Sequence, residues 1–534
     1  MTRAKRTVAG TATLAVVAFL FAGCPKKKAG PAKSRRDSLV VHIETEPSHL
    51  LGMLQPDIWT RRIASHNIFQ ALVRIDPRSS KFEGELAKSW TRSADGKRYT
   101  FVLRQGVRWH DGKPFTGKDV KFTFDRMLDP RIRAASQRGA LEPLIKSYEL
   151  LPNNQFVIHC QNASRFLLQS LASLDILPAH IYAKGDLNRH PRARNPVGTG
   201  PYRFASWESG REIVVLRNET YWGKKAKIGR VVYRVVRDAI RAIQLAKKGE
   251  VDFLPYVRPG VFQRQVETDA GLKRRFKKVE HVVTGNFFIL LNHQRMPFKD
   301  LVVRQSLARL VDRKKIIEKV LSGFARPVDS LIWFDDPDFD STVSGWKFDP
   351  AGARKALAEA GFVDGDGDGV LERKGAAFSF EFLLPSASKS ALRWLTLYQE
   401  ELRKARIEMK IVSLDWAVFL KRIRAHDYDA ATLGMKIDGP YTDLYLQFHS
   451  SQLKDGQNYS GFSSSEVDQL VQRVRFEANS KTRRLASSKL QRLLSQQVAV
   501  IPLFALTQPG LVARRIKGVY SSPSWYQIRD WWIK

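Results

Sequence analysis

Cysteine is nearly missing from this chain: its 534 residues include two, Cys24 and Cys160. That excludes a disulfide-built scaffold, and none is needed, because two to four domains of about 100 to 200 residues each bury their own cores. Acidic residues are also short, 53 against 89 Lys and Arg, which leaves a formal net charge of +36. With 43% hydrophobic and 27% charged residues the balance is that of a globular protein, neither disordered nor fibrous. Long apolar runs are lacking too. The one strongly apolar stretch, residues 14–22, falls short of the roughly 20 residues a membrane span requires. No repeat of fixed period occurs, and no Gly-Lys-Ser/Thr loop, His-Glu-x-x-His, Cys-x-x-Cys or Gly-x-Ser-x-Gly. No two of the eleven histidines stand four residues apart. Metalloenzyme and hydrolase readings lose their weight, which leaves only a triad assembled from distant residues, and the expectation is a protein that is not an enzyme.

What is present begins with export. Arg3, Lys5 and Arg6 precede an uncharged stretch over residues 7–25 that contains Leu20-Phe21-Ala22-Gly23-Cys24. Small residues directly before a cysteine resemble the bacterial lipobox, in which the chain is cut and the cysteine acylated. This implies a signal peptide over 1–23, a lipid on Cys24, and a disordered basic tether over 24–38 held near anionic headgroups. The protein would then sit lipid-anchored in the cell envelope, on the periplasmic face of a membrane. An uncleaved anchor and ordinary secretion are the alternatives.

From residue 39 the pattern is mixed α and β. Apolar or alternating runs at 39–43, 99–103, 212–216, 230–236 and 286–291 predict strands, and 3.6-residue periodicity predicts helices over 302–321, 350–360, 391–405 and 481–497. Asp349-Pro350 supplies a cap and a first-turn proline, and Gly361 a stop. Cys160 ends a β-type run and is expected as a buried free thiol. Asp364, Asp366 and Asp368 stand at positions 1, 3 and 5 of a calcium-type loop, but Gly375 occupies position 12, where a bidentate Glu belongs. The loop is a glycine-rich turn or a weak calcium site.

Between residues 85 and 124 the chain reads Leu-Ala-Lys-Ser-Trp90, then Asp95-Gly96, Tyr99-Thr-Phe101-Val-Leu103-Arg104-Gln-Gly106-Val107-Arg-Trp109-His-Asp111-Gly112-Lys-Pro114-Phe115-Thr116, a hairpin with two tight turns. Asn195-Pro196-Val197-Gly198-Thr199-Gly200-Pro201-Tyr202, Asp312-Arg313, Asp427-Tyr428-Asp429 and Ile501-Pro502-Leu503-Phe504 follow in order. This series resembles the family 5 extracellular solute-binding proteins, the oligopeptide and dipeptide receptors of ABC importers. Taken singly, the residues also have plain structural readings: turns at the glycines, packing at Trp90 and Trp109, an ion pair at Arg304.

The resemblance implies an α/β fold, a two-lobed periplasmic-binding-protein clamp of type II kind with an extra α+β domain inserted in the first lobe. Lobe one would comprise residues 39–67, 189–285 and 505–534, the insertion 68–188, and lobe two 286–504. It implies capture of short peptides between the lobes and delivery to an ABC permease and ATPase complex, by a monomer with no cofactor. Asp438 stands where the family binds a peptide's ammonium group, with Gly434 and Lys436 as main-chain partners and Met435 where the family has tryptophan. Asp438 reads equally well as a turn or cap residue before Gly439-Pro440. Asp57 and Trp59 align with a stretch that lines the family's cleft, and Trp416 is either a cleft wall or core. The ligand carboxylate has three candidates, Lys389, Arg424 and Lys436. A non-peptide solute (an oligosaccharide, metal chelate or haem) is the alternative, since some relatives bind these. A basic surface-adhesion or nucleic-acid-binding protein is the remote alternative. The dispersal of the basic residues argues against a nucleic-acid partner.

Overall fold

Ser-Leu-Val-Val-His-Ile has no polar alternation, and it becomes the strand Ser38–Ile43, buried along its whole length. A strand apolar on both faces belongs inside a sheet with parallel neighbours. Here these are Arg230–Val235 and Phe253–Leu254. Asp252 locks the join: its carboxylate accepts from the Val40 N–H at 3.0 Å and is held by the Arg515 guanidinium at 3.0 and 2.8 Å. The computed structural model describes residues 37–534 except 55, 56, 284, 438, 455 and 521–525. The expected signal peptide, Cys24, most of the tether and Asp438 lie outside the described residues.

The main sheet runs in the order Glu408–Leu414, Ser379–Pro385, Ala430–Lys436, Gly285–Leu291, Ile501–Ala513, Phe253–Leu254, Ser38–Ile43, Arg230–Val235, Glu212–Arg217, Tyr202–Glu208. Ile501–Ala513 is the strand common to both ends. Residues 501–506 pair with Gly285–Leu291 and Ala325–Pro327, and residues 507–513 with Phe276–Val282 and Phe253–Leu254. At Gly510 a Cβ would fall 2.6 Å from the Leu254 carbonyl oxygen and 2.7 Å from that of Pro255, so glycine is what lets the strands close up here.

The apolar cores divide accordingly. One cluster joins residues 39–276 to 511–531, with Phe324 added, and two others occupy residues 288–505. A second sheet, in the order Ala87–Arg92, Arg98–Leu103, Gln155–Cys160, Ile145–Leu151, shares the first of these cores. Its first hairpin turns at Gly96 (φ 71°), where the Asp-Gly pair was expected to turn. The architecture is therefore a two-lobed α/β clamp with an added α+β layer in the first lobe.

Pro350–Glu359 is capped by Asp349, which accepts from the Gly352 N–H at 2.9 Å, and Gly361 (φ 82°) ends the turn that follows. The helix expected over 302–321 is broken. Leu301–Arg309 stops, and Asp312 caps a new turn by accepting from the Lys315 N–H at 2.9 Å before a wider helical turn over Ile316–Val320. Arg304 makes no ion pair among the described residues. Its guanidinium donates instead to the carbonyls of Phe298, Lys299 and Gln497 at 2.8 to 3.1 Å, tying the helix start to a distant loop. No helix among the described residues is long and apolar enough to cross a membrane.

Candidate functional site

Ile58–Ala64 is a short helix whose two faces do different work. Trp59, Thr60, Ile63 and Ala64 are buried, while Ile58, Arg61, Arg62 and Ser65 recur at helical spacing on the side that lines a cavity of about 410 Å³. Asp57 begins the helix: its carboxylate accepts from the N–H groups of Trp59 and Thr60, both at 2.8 Å, and from the Thr60 hydroxyl at 3.1 Å. Asp57 and Trp59, expected to face the cleft, are not among the residues that line this cavity. Asp57 spends its oxygens on capping and Trp59 turns into the core, while their helix presents Arg61 and Arg62 instead. The Arg62 guanidinium lies 4.8 Å above the Trp59 ring, and burial brings its pKa down to about 9.

The floor of this cavity carries a charge relay. His66 contacts Glu85 at 3.3 Å, Glu85 accepts from the Ala71 N–H at 2.9 Å, and Arg529 approaches Glu85 at 3.7 Å. Burial alone would push the His66 pKa down and that of Glu85 up. Their mutual attraction prevails, raising the histidine and lowering the carboxylate. Beside them Asp175, fully enclosed, is pushed up to about 6 by burial and accepts from the Ser65 hydroxyl at 2.8 Å. His281, on the strand Phe276–Val282, is driven down to about 3 by burial and stays neutral.

The second lobe contributes Lys436, Ile437 and Gly439 to the same cavity. Lys436 ends the strand Ala430–Lys436, which pairs along its length with Gly285–Leu291, whereas Ser379–Pro385 meets it only at Ala430 and Ala431. Among the described residues, no strand pairs with 432–435 on that side. A second cavity, about 280 Å³, lies along Leu433, Gly434, Met435 and Lys436, and a third, about 300 Å³, links Met435 and Lys436 to Arg61 and to the Arg475–Asp443 pair at 3.2 Å. Lys436 lines all three cavities and Arg61 two. The side-chain oxygens of Gln447, Gln508 and Gln527 are buried in these walls with no hydrogen-bond partner among the described residues. An open strand edge beside orphaned acceptors can receive an extended chain that brings its own N–H and C=O groups.

The added layer also meets the second lobe directly. Arg165 of the added layer reaches Asp336 at 3.0 Å and also Asp338, which Arg483 holds at 2.7 Å. The Arg165, Asp336 and Asp338 side chains are 6%, 0% and 1% exposed. Gln169 bonds the main chain of Tyr441 in both directions, at 2.9 and 3.1 Å.

Other sequence-derived candidates lie elsewhere. Trp416 is 54% exposed, stacks on Phe419 with centroids 5.7 Å apart, begins the helix Trp416–Arg424 and lines none of these three cavities. Lys389 and Arg424 also lie outside the three linings. Asp364, Asp366 and Asp368 bring their oxygens within 4.8 Å of one another, yet each accepts from a loop N–H, and Arg406 sits 3.0 Å from Asp364. Cys160 is a buried free thiol pushed up to about 11 by burial.

Residues 81–457 match the model of a family described as bacterial extracellular solute-binding proteins, family 5 Middle. The chain belongs to this family. Family 5 proteins bind solutes outside the cytoplasm, and the cleft between the lobes is where this one has room to do so. It is 27% identical to the Oligopeptide-binding protein AppA of Bacillus subtilis, with 100% of both chains covered, and 26% identical to Heme-binding protein A of Haemophilus influenzae, with 97% of each covered. The solved structure of AppA in complex with a nonapeptide superimposes with a TM-score of 0.72 at 25% identity, covering 93% of this chain and 99% of that one. Sequence reasoning reached the strand carrying Gly434, Met435 and Lys436. It missed Arg61, Arg62 and Arg529, although the 58-61-62-65 spacing was there to be read.

Proposed function

We propose that this solute-binding protein captures short peptides and hands them to an ABC permease and its ATPase. The observation that carries the reading is the edge at 432–435, with which no second strand pairs among the described residues, together with cavity-lining glutamine oxygens that have no hydrogen-bond partner among the described residues and suit peptide N–H groups. Asp438 takes the peptide ammonium in this proposal. Its chain neighbours Ile437 and Gly439 both line the 410 Å³ cavity, and a carboxylate facing an ammonium away from water makes a strong charge-assisted bond. The lobes divide as 39–67 with 189–285 and 505–534 against 286–504, with 68–188 as the insertion. The protein acts as a monomer held to a membrane through a lipid on Cys24 after loss of residues 1–23. A non-peptide solute is the second reading, favoured by the 26% identity to Heme-binding protein A.

The test is thermal stabilisation of the purified, ligand-stripped chain by peptides of two to ten residues, their N-acetylated forms, oligosaccharides, nickel chelates and haem. Binding to the folded state alone raises the melting temperature with ligand concentration. Stabilisation by free peptides that is lost on acetylation, and equally lost in Asp438→Ala, is the expected result. Stabilisation by another class alone replaces peptide with that class.

A further inference from the structure

We infer that the first lobe rests on an anionic lipid bilayer, with the end of its sheet around Asp37 turned to the headgroups; this rests on the reading of Cys24 as a lipid anchor. Distance is the first argument. Thirteen peptide units join Cys24 to Asp37, and fully extended they span no more than about 45 Å. A folded body the size of residues 37–534 has a radius of gyration of about 23 Å, so it is about 60 Å across. The surface around Asp37 therefore reaches the headgroups, and the opposite end of the molecule does not.

The chemistry of that surface is the second argument. The Asp37 carboxylate accepts from the Gly229 N–H at 2.7 Å, and next to it the Ser38 carbonyl accepts from Arg515 at 2.9 Å. From there Arg514 donates to the Lys273 carbonyl at 3.1 and 3.3 Å, and Arg275 to that of Lys247. These contacts gather four segments into one surface, on which Lys248, Lys273, Arg274, Arg275, Lys277 and Arg514 are exposed and form no ion pair among the described residues. The dipole of the short helix Ala270–Arg275 favours cations in its last turn, but Lys248, Lys277 and Arg514 belong to other elements. On the other side of Asp37, Lys224 and Lys227 are exposed and likewise form no ion pair among the described residues. Lys227 lies 4.5 Å from the ring centre of Trp532, which is 40% exposed and pairs in register with Lys517. Tryptophan beside cations suits the headgroup level of a bilayer. The acids of this end are engaged: Asp37, Glu219, Glu250, Asp252, Asp269 and Asp530 each have an arginine or lysine within 4.0 Å. Glu267 has none among the described residues, but it precedes the helix, at the end away from Lys273, Arg274 and Arg275. At the opposite end of the same strands the charges match. Glu46, Glu208 and Glu212 answer Arg194, Arg211 and Arg234, and Glu44 and Asp238 stand with Arg237 and Arg241. An anionic surface attracts clustered Lys and Arg, and the pull fades within a Debye length, so a cluster beside the anchor is where it acts.

The experiment is lysine labelling by an N-hydroxysuccinimide ester of the lipid-bearing chain, carried in vesicles of phosphatidylcholine alone or with about 30% phosphatidylglycerol, and read by mass spectrometry. Lys248, Lys273 and Lys277 should label at least about threefold more slowly on the anionic vesicles, with the difference closing as salt rises. Lys355 and Lys489 of the second lobe should label alike on both. Lys273→Glu with Arg274→Glu should abolish the slowing at Lys248 and Lys277. Arg237→Glu with Arg241→Glu, the same change of charge at the other end of the strands, should leave it. All four side chains are exposed and make no hydrogen bond among the described residues, so the fold does not rest on them. Equal labelling on both kinds of vesicle overturns the inference and leaves the anchor in place. Slowing shared equally by Lys355 and Lys489, or lost equally in both pairs of substitutions, overturns it too, because charge would then act without orienting the molecule. A chain whose mass shows no lipid on Cys24 removes the anchor reading and the inference with it.

Discussion

His66 and Asp175 stand in one enclosure and tie stability to pH. His66 has a raised pKa in the folded chain, so its contribution is full below 6.5 and is lost as pH rises through that raised value. Glu85 is lowered, so its contribution is present above 4.5 and lost as pH falls. Asp175 is raised from 3.8 to about 6, so its contribution is full below 3.8 and is lost as pH climbs through about 6. His281 in the same cavity, held down to about 3, acts the other way, and its contribution is present above 6.5 and lost as pH falls. The melting temperature of Asp175→Asn relative to the wild type should therefore rise as pH climbs from about 3.8 through about 6 and level off above it. A variant with an unchanged profile would remove Asp175 from the account.

At the scale of elements, the strand Ile501–Ala513 depends on a close approach at Gly510. Gly510→Ala would place a methyl within 2.7 Å of two backbone carbonyl oxygens, which cannot swing aside as a side chain can. It should cost about 1 to 3 kcal/mol in denaturant unfolding, the range of overpacked sites. Gly361→Ala, with nothing near its Cβ, would carry only the strain of its positive φ and should cost less. Elements with local signals were legible in the sequence. The uninterrupted apolar run gave away Ser38–Ile43, and Asp349, Pro350 and Gly361 marked a helix by chemistry contained within it. The helix over 302–321 was misread because periodicity continues across Asp312, and only the cap geometry shows the break. The site was half legible: the resemblance points to Gly434–Lys436. Which face of Ile58–Ala64 meets ligand is decided by what packs on its other side, and that is set by residues far away in sequence. Trp59 illustrates this, since a tryptophan beside a cleft motif invites assignment to the cleft while its position on the helix turns it inward.

For the molecule as a whole, the contact of Arg165 with Asp336 and Asp338 ties the added layer to the second lobe. Removing Arg165 leaves Asp336 buried without its cation while Asp338 keeps Arg483, and breaking a buried pair in this way costs about 3 to 5 kcal/mol where no water can enter. Open lobes would let water reach those aspartates, so Arg165→Ala should shift the balance toward an open form rather than unfold the chain. Small-angle scattering should show a larger radius of gyration, and ligand should bind at least about tenfold more weakly, mostly through faster release. An unchanged radius and unchanged release rate would reduce the network to a local role in lobe two.

The strand Ile501–Ala513 and its neighbour Arg515 also govern the order in which this chain can be made. Ser38–Ile43 has its carbonyl at Ser38 held at 2.9 Å by Arg515, 477 residues further along, and Asp252, which bonds Val40, is held by the same arginine. The first lobe therefore waits for residues 507–515 before its central strands are locked, while the second lobe has its core and its share of that strand complete by residue 506. A chain halted at residue 500 should accordingly remain open to proteases over residues 38–285, and protection there should appear only when the final stretch is supplied. Protection of 38–285 in the halted chain would show that the lobe closes without its last strand. Until residue 515 is made, the first lobe lacks the contact that joins its strands across the length of the chain, and pairings so far apart in sequence are the slowest to form.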